Sequence, residues 1–170
     1  MRSGFLSSFV LAGALAVAPA AWATCTCDNT VNGTSGDDIL TGGSGVDCIY
    51  GGDGGDLIYG YDNNDCLYGE DGPDGIYAGN GNDIVFAGAS GIYDDYSSGW
   101  EGADQIDGGD DNDTITGNLG NDVFVGGNGN DGLYGEGGDD NLTGDAGTDY
   151  AEGSTGIDTC DAETESNCEL

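Results

Sequence analysis

An aspartate recurs every nine residues along most of this chain, and no other feature restricts the fold as strongly. With Gly33 as position 1 of a nine-residue frame, six units run without a gap over 33–86 and seven more over 99–161. Position 6 is aspartate in all thirteen units, position 1 is glycine in all but one, where it is Ala78, and position 8 is always apolar. A fixed short period of this kind indicates a repeat architecture in which neighbouring units stack on one another.

Each unit divides into a turn and a short strand. Positions 1–6 are rich in glycine, asparagine and aspartate, which tolerate tight turns, whereas positions 7–9 are rich in Ile, Leu, Tyr and Thr. Alternation along a strand puts position 8 on one face and positions 7 and 9 on the other. One inward residue per unit cannot build a layered core, so we predict two units per eighteen-residue coil, with like positions stacked about 4.8 Å apart. The inward residues are Leu40, Ile49, Ile58, Leu67, Ile76, Val85, Ile106, Ile115, Phe124, Leu133, Leu142, Ala151 and Cys160.

The charge of the chain determines which partners it accepts. There are 33 acidic residues, one basic residue, Arg2, and no histidine, giving a net charge of -32. Composition alone would predict a disordered polyanion, and it excludes nucleic acid and anionic membranes as partners. Carboxylates beside backbone carbonyls in glycine-rich turns form oxygen-only sites, which favour Ca²⁺ over zinc or copper.

We therefore predict that the position-6 aspartates hold Ca²⁺ between one turn and the turn eighteen residues further on. The alternative is that they are solvated turn residues that only cap glycine loops. The candidate ligands are Asp38, Asp47, Asp56, Asp65, Asp74, Asp83, Asp104, Asp113, Asp122, Asp131, Asp140, Asp149 and Asp158.

Units such as "GGNGNDGLY" and "GGSGVDCIY" resemble the RTX, or hemolysin-type, calcium-binding nonapeptide repeat GGxGxDxUx. The resemblance covers 33–86 and 99–161, and it implies an all-β fold: a parallel β-roll, or right-handed β-helix, with two repeats per coil and calcium between the turns. It also implies that turn carbonyls join the aspartates as ligands. Pairing same-side turns within each block gives up to about nine ions. The implied carbonyls belong to residues such as Gly42, Ser44, Gly51, Asp53, Gly108, Asp110, Gly126 and Asn128.

The segments outside the repeats have their own predicted roles. Residues 1–23 contain one arginine, an apolar run and Ala21-Trp22-Ala23, which predict a secretory signal peptide cleaved after Ala23 and an extracellular protein. A membrane anchor is the alternative, but the apolar run is short and contains a proline. Residues 24–32 fit a decayed first unit that caps the roll, 87–98 an insertion loop, and 162–170 an acidic C-terminal cap.

Six cysteines in an exported chain indicate disulfides, and they allow fifteen connectivities. A Cys160–Cys168 bond would close the C-terminal end and is the pairing we favour there. Cys48 and Cys66 are eighteen residues apart at position 7, so they stack on neighbouring coils within disulfide range. They either bond to each other, stay as outward thiols, or pair with Cys25 and Cys27.

Aromatic residues at position 9 form a ladder on each outer face of the first block. Such ladders bind sugar rings or another sheet, or they simply stack and stabilise the sheets, which we favour. The ladders are Tyr50, Tyr68 and Phe86 on one face and Tyr59 and Tyr77 on the other.

No enzyme is predicted, because without histidine the common triads and zinc motifs are absent and the acidic residues belong to the repeats. The predicted function is a calcium-folded structural or interaction module, adhesive or surface-associated, with a glycan or protein as partner. A calcium buffer is the alternative. Ice binding is disfavoured, since position 3 lacks regular threonine and asparagine rows.

Overall fold

Two parallel eight-stranded sheets make up the part of the chain that the computed structural model describes, residues 25–88 and 96–168. Successive strands alternate between the sheets, so the odd-numbered strands form one sheet and the even-numbered strands the other. The first contains β1 (Asn29–Asn32), β3 (Asp47–Asp53), β5 (Cys66–Asp71), β7 (Ile84–Gly88), β9 (Gln105–Asp110), β11 (Val123–Gly129), β13 (Asn141–Gly147) and β15 (Thr159–Asp161). The second contains β2 (Ile39–Thr41), β4 (Leu57–Asp62), β6 (Gly75–Asn80), β8 (Tyr96–Glu101), β10 (Thr114–Leu119), β12 (Gly132–Gly137), β14 (Tyr150–Thr155) and β16 (Thr164–Ser166). The predicted all-β parallel β-roll is confirmed, and the predicted signal peptide lies outside the described residues.

The register confirms that two nine-residue units make one coil. Ile49 pairs with Leu67, and Ile58 with Ile76, each eighteen residues apart. The strands are longer than predicted, however, since a typical one such as β5 runs from position 7 to position 3 of the next unit. Position 1 also faces the interior, and its glycine continues the backbone ladder, so only positions 4–6 form the turn.

The interior of the roll is a thin apolar layer between the two sheets. The position-8 residues from Leu40 to Ala151 are buried and form one continuous cluster, with Cys160 partly buried beside it. Phe124 is the largest fully buried side chain. Outside, the rings of Tyr50 and Tyr68 stack with their centroids 4.7 Å apart, as the stacking interpretation predicts.

The roll is continuous across the interval where the nine-residue frame breaks. Ser97 in β8 pairs with Ile76 on one side and with Ile115 on the other, and the offset from β6 is 21 residues rather than eighteen. The predicted insertion loop, 87–98, therefore has to be corrected: 87–88 belong to β7 and 96–98 to β8, while 89–95 lie outside the described residues. The nine-residue frame missed the unit that contains β8, because Ser97 takes the inward position 8 and three extra residues shift the frame.

Both ends of the roll are fastened by disulfides. The favoured Cys160–Cys168 bond is confirmed, with the two Cα atoms 5.9 Å apart. A stacked Cys48–Cys66 bond is wrong: Cys48 bonds to Cys27 and Cys66 bonds to Cys25. Side chains at paired positions of adjacent parallel strands project in the same direction, so both cysteines reach the N-terminal segment that covers them. At this end Val31 in β1 pairs with Ile49, which matches the frame of the decayed unit.

Candidate calcium sites

The position-6 aspartates line the two edges of the roll, where the chain turns from one sheet into the other. Asp38 is partly exposed, but the twelve that follow it are at most 4% exposed. Burial of a carboxylate is unfavourable unless it has a partner. The hydrogen-bond partners of each carboxylate oxygen therefore decide what these edges can bind.

One carboxylate oxygen, Oδ1, holds the neighbouring coils together. The backbone N–H of Asp47 donates to Asp65 Oδ1 at 2.8 Å, and the N–H of Asp65 donates to Asp83 Oδ1 at 2.7 Å. The same bond joins Asp83 to Asp104 at 2.8 Å, across the break in the frame. The count of about nine ions paired turns only within each of the two blocks of repeats. It therefore omits the pair formed by Asp83 and Asp104, which joins the blocks. One ladder contains Asp47, Asp65, Asp83, Asp104, Asp122, Asp140 and Asp158. The other contains Asp38, Asp56 and Asp74, and then Asp113, Asp131 and Asp149.

The second oxygen, Oδ2, differs between the start of the roll and the rest of it. In the first two units it accepts a local hydrogen bond: Thr34 N–H donates to Asp38 Oδ2 at 2.7 Å, and Gly43 N–H to Asp47 Oδ2 at 2.6 Å. From Gly52 onwards position 2 adopts a left-handed backbone, with φ of 110° at this residue. Oδ2 is then buried without a hydrogen-bond partner among the described residues in Asp56, Asp65, Asp83, Asp104, Asp122 and Asp140.

A position-6 Oδ2 atom and a backbone carbonyl of the next coil both lie beside several of the glycines at position 1. A Cβ added to Gly42 would lie 2.6 Å from Asp47 Oδ2 and 2.7 Å from the carbonyl oxygen of Gly60 in the next coil. The equivalent pair of oxygens surrounds Gly51, Gly60, Gly69 and Gly108. At these glycines two oxygen atoms occupy the space that a side chain needs, whereas the buried Ala78 takes position 1 in one unit. Of the predicted carbonyl ligands, those of Gly51 and Gly126 lie in such pairs.

The buried carboxyls hold their protons more tightly than ordinary aspartates. Burial raises the pKa of Asp65 to about 6, that of Asp83 to about 7 and that of Asp104 to about 8, and the backbone hydrogen bond to each only partly offsets it. The described residues include no lysine, arginine or histidine to neutralise the charge. A cation from solution would therefore favour the ionised form of Asp83 and Asp104 at neutral pH.

The donors present here fit Ca²⁺. Carboxylate and carbonyl oxygens are hard ligands, and the cation's charge would stabilise the ionised form of each buried Oδ2. Within residues 25–88 and 96–168, no three acidic or cysteine side chains converge on one point. A calcium site here would thus have to take most of its ligands from backbone carbonyls, as glycine-rich turns allow.

A family comparison agrees with this geometry. The model of the RTX calcium-binding nonapeptide repeat (4 copies) matches residues 28–58, 49–76, 59–90, 98–133 and 125–160. The chain belongs to this family. RTX repeats bind calcium, so this β-roll is a calcium-binding module, and the predicted resemblance is confirmed. No curated protein matches the chain. The described part of the chain contains no helix long and apolar enough to span a membrane.

Carbonyls at position 3 of the RTX units are engaged within the roll. The Ser44 carbonyl accepts a hydrogen bond from Asn63 Nδ2 at 3.2 Å, and the Asp71 carbonyl accepts one from Gly54 N–H at 2.7 Å. A carbonyl oxygen has a second lone pair, so calcium ligation at position 3 stays a prediction.

Two sets of residues in the RTX roll escaped the sequence analysis. Glu163 takes the place of a position-6 aspartate at the C-terminal end, where its Oε2 accepts the N–H of Asp149 at 3.0 Å. Asparagine and aspartate at position 5 form another ladder, in which Asn112 Oδ1 accepts the N–H of Asn130 at 2.9 Å. Repeated "GND" triplets were the available signal for position 5, whereas Glu163 lies outside the regular frame.

Substitution of Gly42 by alanine tests the oxygen pair at position 1. The new Cβ meets Asp47 Oδ2 and the Gly60 carbonyl, so we expect Gly42→Ala to lower the free energy of unfolding by about 1–3 kcal/mol. Gly43→Ala is the matched control, because a Cβ there comes no closer than 3.9 Å to its nearest neighbour and is expected to change stability little. Urea unfolding in calcium measures both, and equal losses would show that the oxygen pair is not responsible.

Proposed function

We propose that this protein is an exported structural module whose β-roll folds when it binds calcium. The main support for this proposal is that Oδ2 atoms such as those of Asp56 and Asp65 are buried without a hydrogen-bond partner among the described residues. A folded chain that places so many carboxylates out of water, with no basic side chain beside them, needs a cation to offset their mutual repulsion and desolvation.

Two kinds of oxygen from this chain would hold calcium: aspartate carboxylates and backbone carbonyls. Position-6 Oδ2 atoms supply the negative charge, and position-1 carbonyls such as that of Gly69, beside Asp56 Oδ2, supply neutral oxygens. The Oδ1 hydrogen bonds fix each carboxylate at the joint between two coils, as between Asp104 and Asp122 at 2.8 Å. Because both ligand types belong to adjacent coils, binding requires the coils to be stacked, and this couples affinity to folding.

The sites are proposed to begin at Asp56 rather than at the first repeat. Asp38 and Asp47 already satisfy Oδ2 with a local N–H, so they have less need of a cation. The first two units would then serve as a cap that needs little calcium, together with the disulfides at Cys25 and Cys27.

Linkage between calcium and stability tests the proposal. If calcium binds only the folded chain, the urea midpoint followed by circular dichroism should rise steadily with the logarithm of calcium concentration, over roughly 10⁻⁴–10⁻³ M. Magnesium at equal concentration is the control, because it tolerates such flexible oxygen sites poorly. Reduced protein is measured in parallel, since disulfides retain some order. Identical midpoints in calcium and in EDTA would contradict the proposal.

Export is the second part of the proposal, and residues 1–23 support it by their composition. Oxidised cysteine pairs also suit an extracellular setting. The mass of the protein recovered outside the cell should correspond to a chain that begins at Thr24. Retention of the full mass, or of the protein inside the cell, would refute cleavage and export.

The proposed role is structural rather than catalytic, because the ladders already use most buried acidic side chains. A calcium buffer needs only to bind and release calcium, so it would bind no other partner. A structural module should instead bind a partner surface only in calcium, and the outer aromatic faces are the candidate surface.

A further inference from the structure

An aromatic cleft of about 280 Å³ opens on the outer face of the second sheet. It is built from positions 9, 2 and 3 of the units rather than from the position-6 aspartates, and its Asp62 lies near Asp65 of the ladder. Tyr61 and Trp100 stand on either side of Gly79, and the stacked pair of Tyr59 and Tyr77 lies beside them, with centroids 5.2 Å apart. The residues that line the cleft are Tyr59, Tyr61, Asp62, Tyr77, Gly79, Asn80 and Trp100.

The two large rings stand at position 2, where the left-handed backbone recurs along the roll. Tyr61 and Trp100 occupy position 2, where φ is 84° and 106° respectively, a region that bulky residues rarely adopt. Both side chains are more than half exposed, at 53% and 56%, so core packing does not explain them. Gly79 occupies the same position on the strand between them. Two exposed rings presented across a glycine suggest a binding role.

The register sets the width of this cleft. Tyr61 pairs with Gly79, and Gly79 pairs with Trp100, so the two ring-bearing strands are separated by two strand spacings, about 9–10 Å. A flat group stacked between two rings needs about 7 Å between the ring planes. The strand separation therefore leaves room for one planar group between the two rings but not for two, which need about 10.5 Å.

Negative charge borders the cleft. Asp62, Asn80 and Glu101 lie side by side on three neighbouring strands at position 3. Asn80 Nδ2 donates to Asp62 Oδ1 at 2.9 Å, which orients that carboxylate. No basic side chain exists in the described residues to pair with an anion. A planar cation therefore complements both the rings and the acidic border.

We propose that this cleft binds the guanidinium group of an exposed arginine on a partner polypeptide. Guanidinium is flat and weakly hydrated, stacks on aromatic faces, and pairs with carboxylates through two parallel N–H donors. Asp62 is its carboxylate partner, and Tyr61 and Trp100 are the stacking surfaces. The assignment adds a partner site to the calcium module.

Tryptophan fluorescence tests this site. On a Trp22→Phe background Trp100 is the only tryptophan in the sequence. The full chain in calcium is titrated with N-acetyl-arginine amide and with N-acetyl-citrulline amide, which has the same shape without the charge. Arginine amide should bind at least about fivefold more tightly than citrulline amide, and about threefold more tightly than N-acetyl-lysine amide, which is charged but not planar.

Variants separate this site from general attraction to a polyanion. Tyr61→Ser should lower the affinity for N-acetyl-arginine amide at least about threefold. Tyr61→Phe keeps the ring and should preserve that affinity. Tyr134→Ser removes a ring elsewhere on the same sheet and should leave the affinity unchanged. Equal binding of citrulline amide, equal binding of lysine amide, tighter binding of a methyl glucoside, or no fluorescence change with any probe would each overturn the proposal.

Discussion

Without calcium, the roll is expected to be more stable at pH 5 than at pH 8. Burial raises the pKa of Asp83 to about 7 and that of Asp104 to about 8, and those of Asp65 and Asp122 to about 6, from an ordinary value of 3.8. A raised pKa in the folded state means that the folded chain binds more protons than the unfolded chain. This contribution to stability is fully present below about pH 4 and is lost progressively as the pH rises from there to about 8.

Calcium should reverse this order. Calcium ligands must be deprotonated, so binding releases protons and is weakened by acid. With calcium in excess, the roll should therefore be more stable at pH 8 than at pH 5. Urea midpoints at the two pH values, each in EDTA and in calcium, measure the inversion. Asp104→Asn removes the most strongly shifted of these carboxyls and should flatten the profile in EDTA. The same order of stability in both solutions would count against calcium binding at the ladders.

Truncation of the largest core residue is expected to be the most destabilising single substitution inside the roll. Phe124 is fully buried in a core only two side chains thick, where it pairs with Ile106 and Leu142 on the neighbouring coils. Phe124→Ala should lower the free energy of unfolding by about 3–5 kcal/mol, because a thin layer cannot close over the cavity.

Phe86→Ala is the matched control for that cavity. Phe86 lies in the same sheet but on its outer face, half-buried, with its ring stacked on Tyr68 at a centroid distance of 5.3 Å. We expect Phe86→Ala to lower the free energy of unfolding by less than half as much as Phe124→Ala, because water already reaches the Phe86 ring. Urea unfolding in saturating calcium compares the two, and equal losses would show that the outer aromatic ladder stabilises the roll as much as the core does.

The candidate sites were only partly predictable. The nine-residue frame identified the aspartates and the pairing of like positions eighteen residues apart, because both follow from spacing alone. It did not separate the two oxygens of each carboxylate. Their separate fates depend on the backbone at position 2, which is left-handed at Tyr61 but not at Gly43.

Local periodicity explains what the sequence determined by itself: the inward position 8, the coil of two units, the parallel strands and the calcium-binding family. These properties repeat every nine residues, so each unit carries the full information. Tertiary structure alone decided the strand formed by Tyr96–Ser98, the bonding of Cys48 and Cys66 to the N-terminal segment, and the cleft between Tyr61 and Trp100. Each of these brings together residues outside the regular frame or on different coils, and only the stacking of whole coils places them side by side.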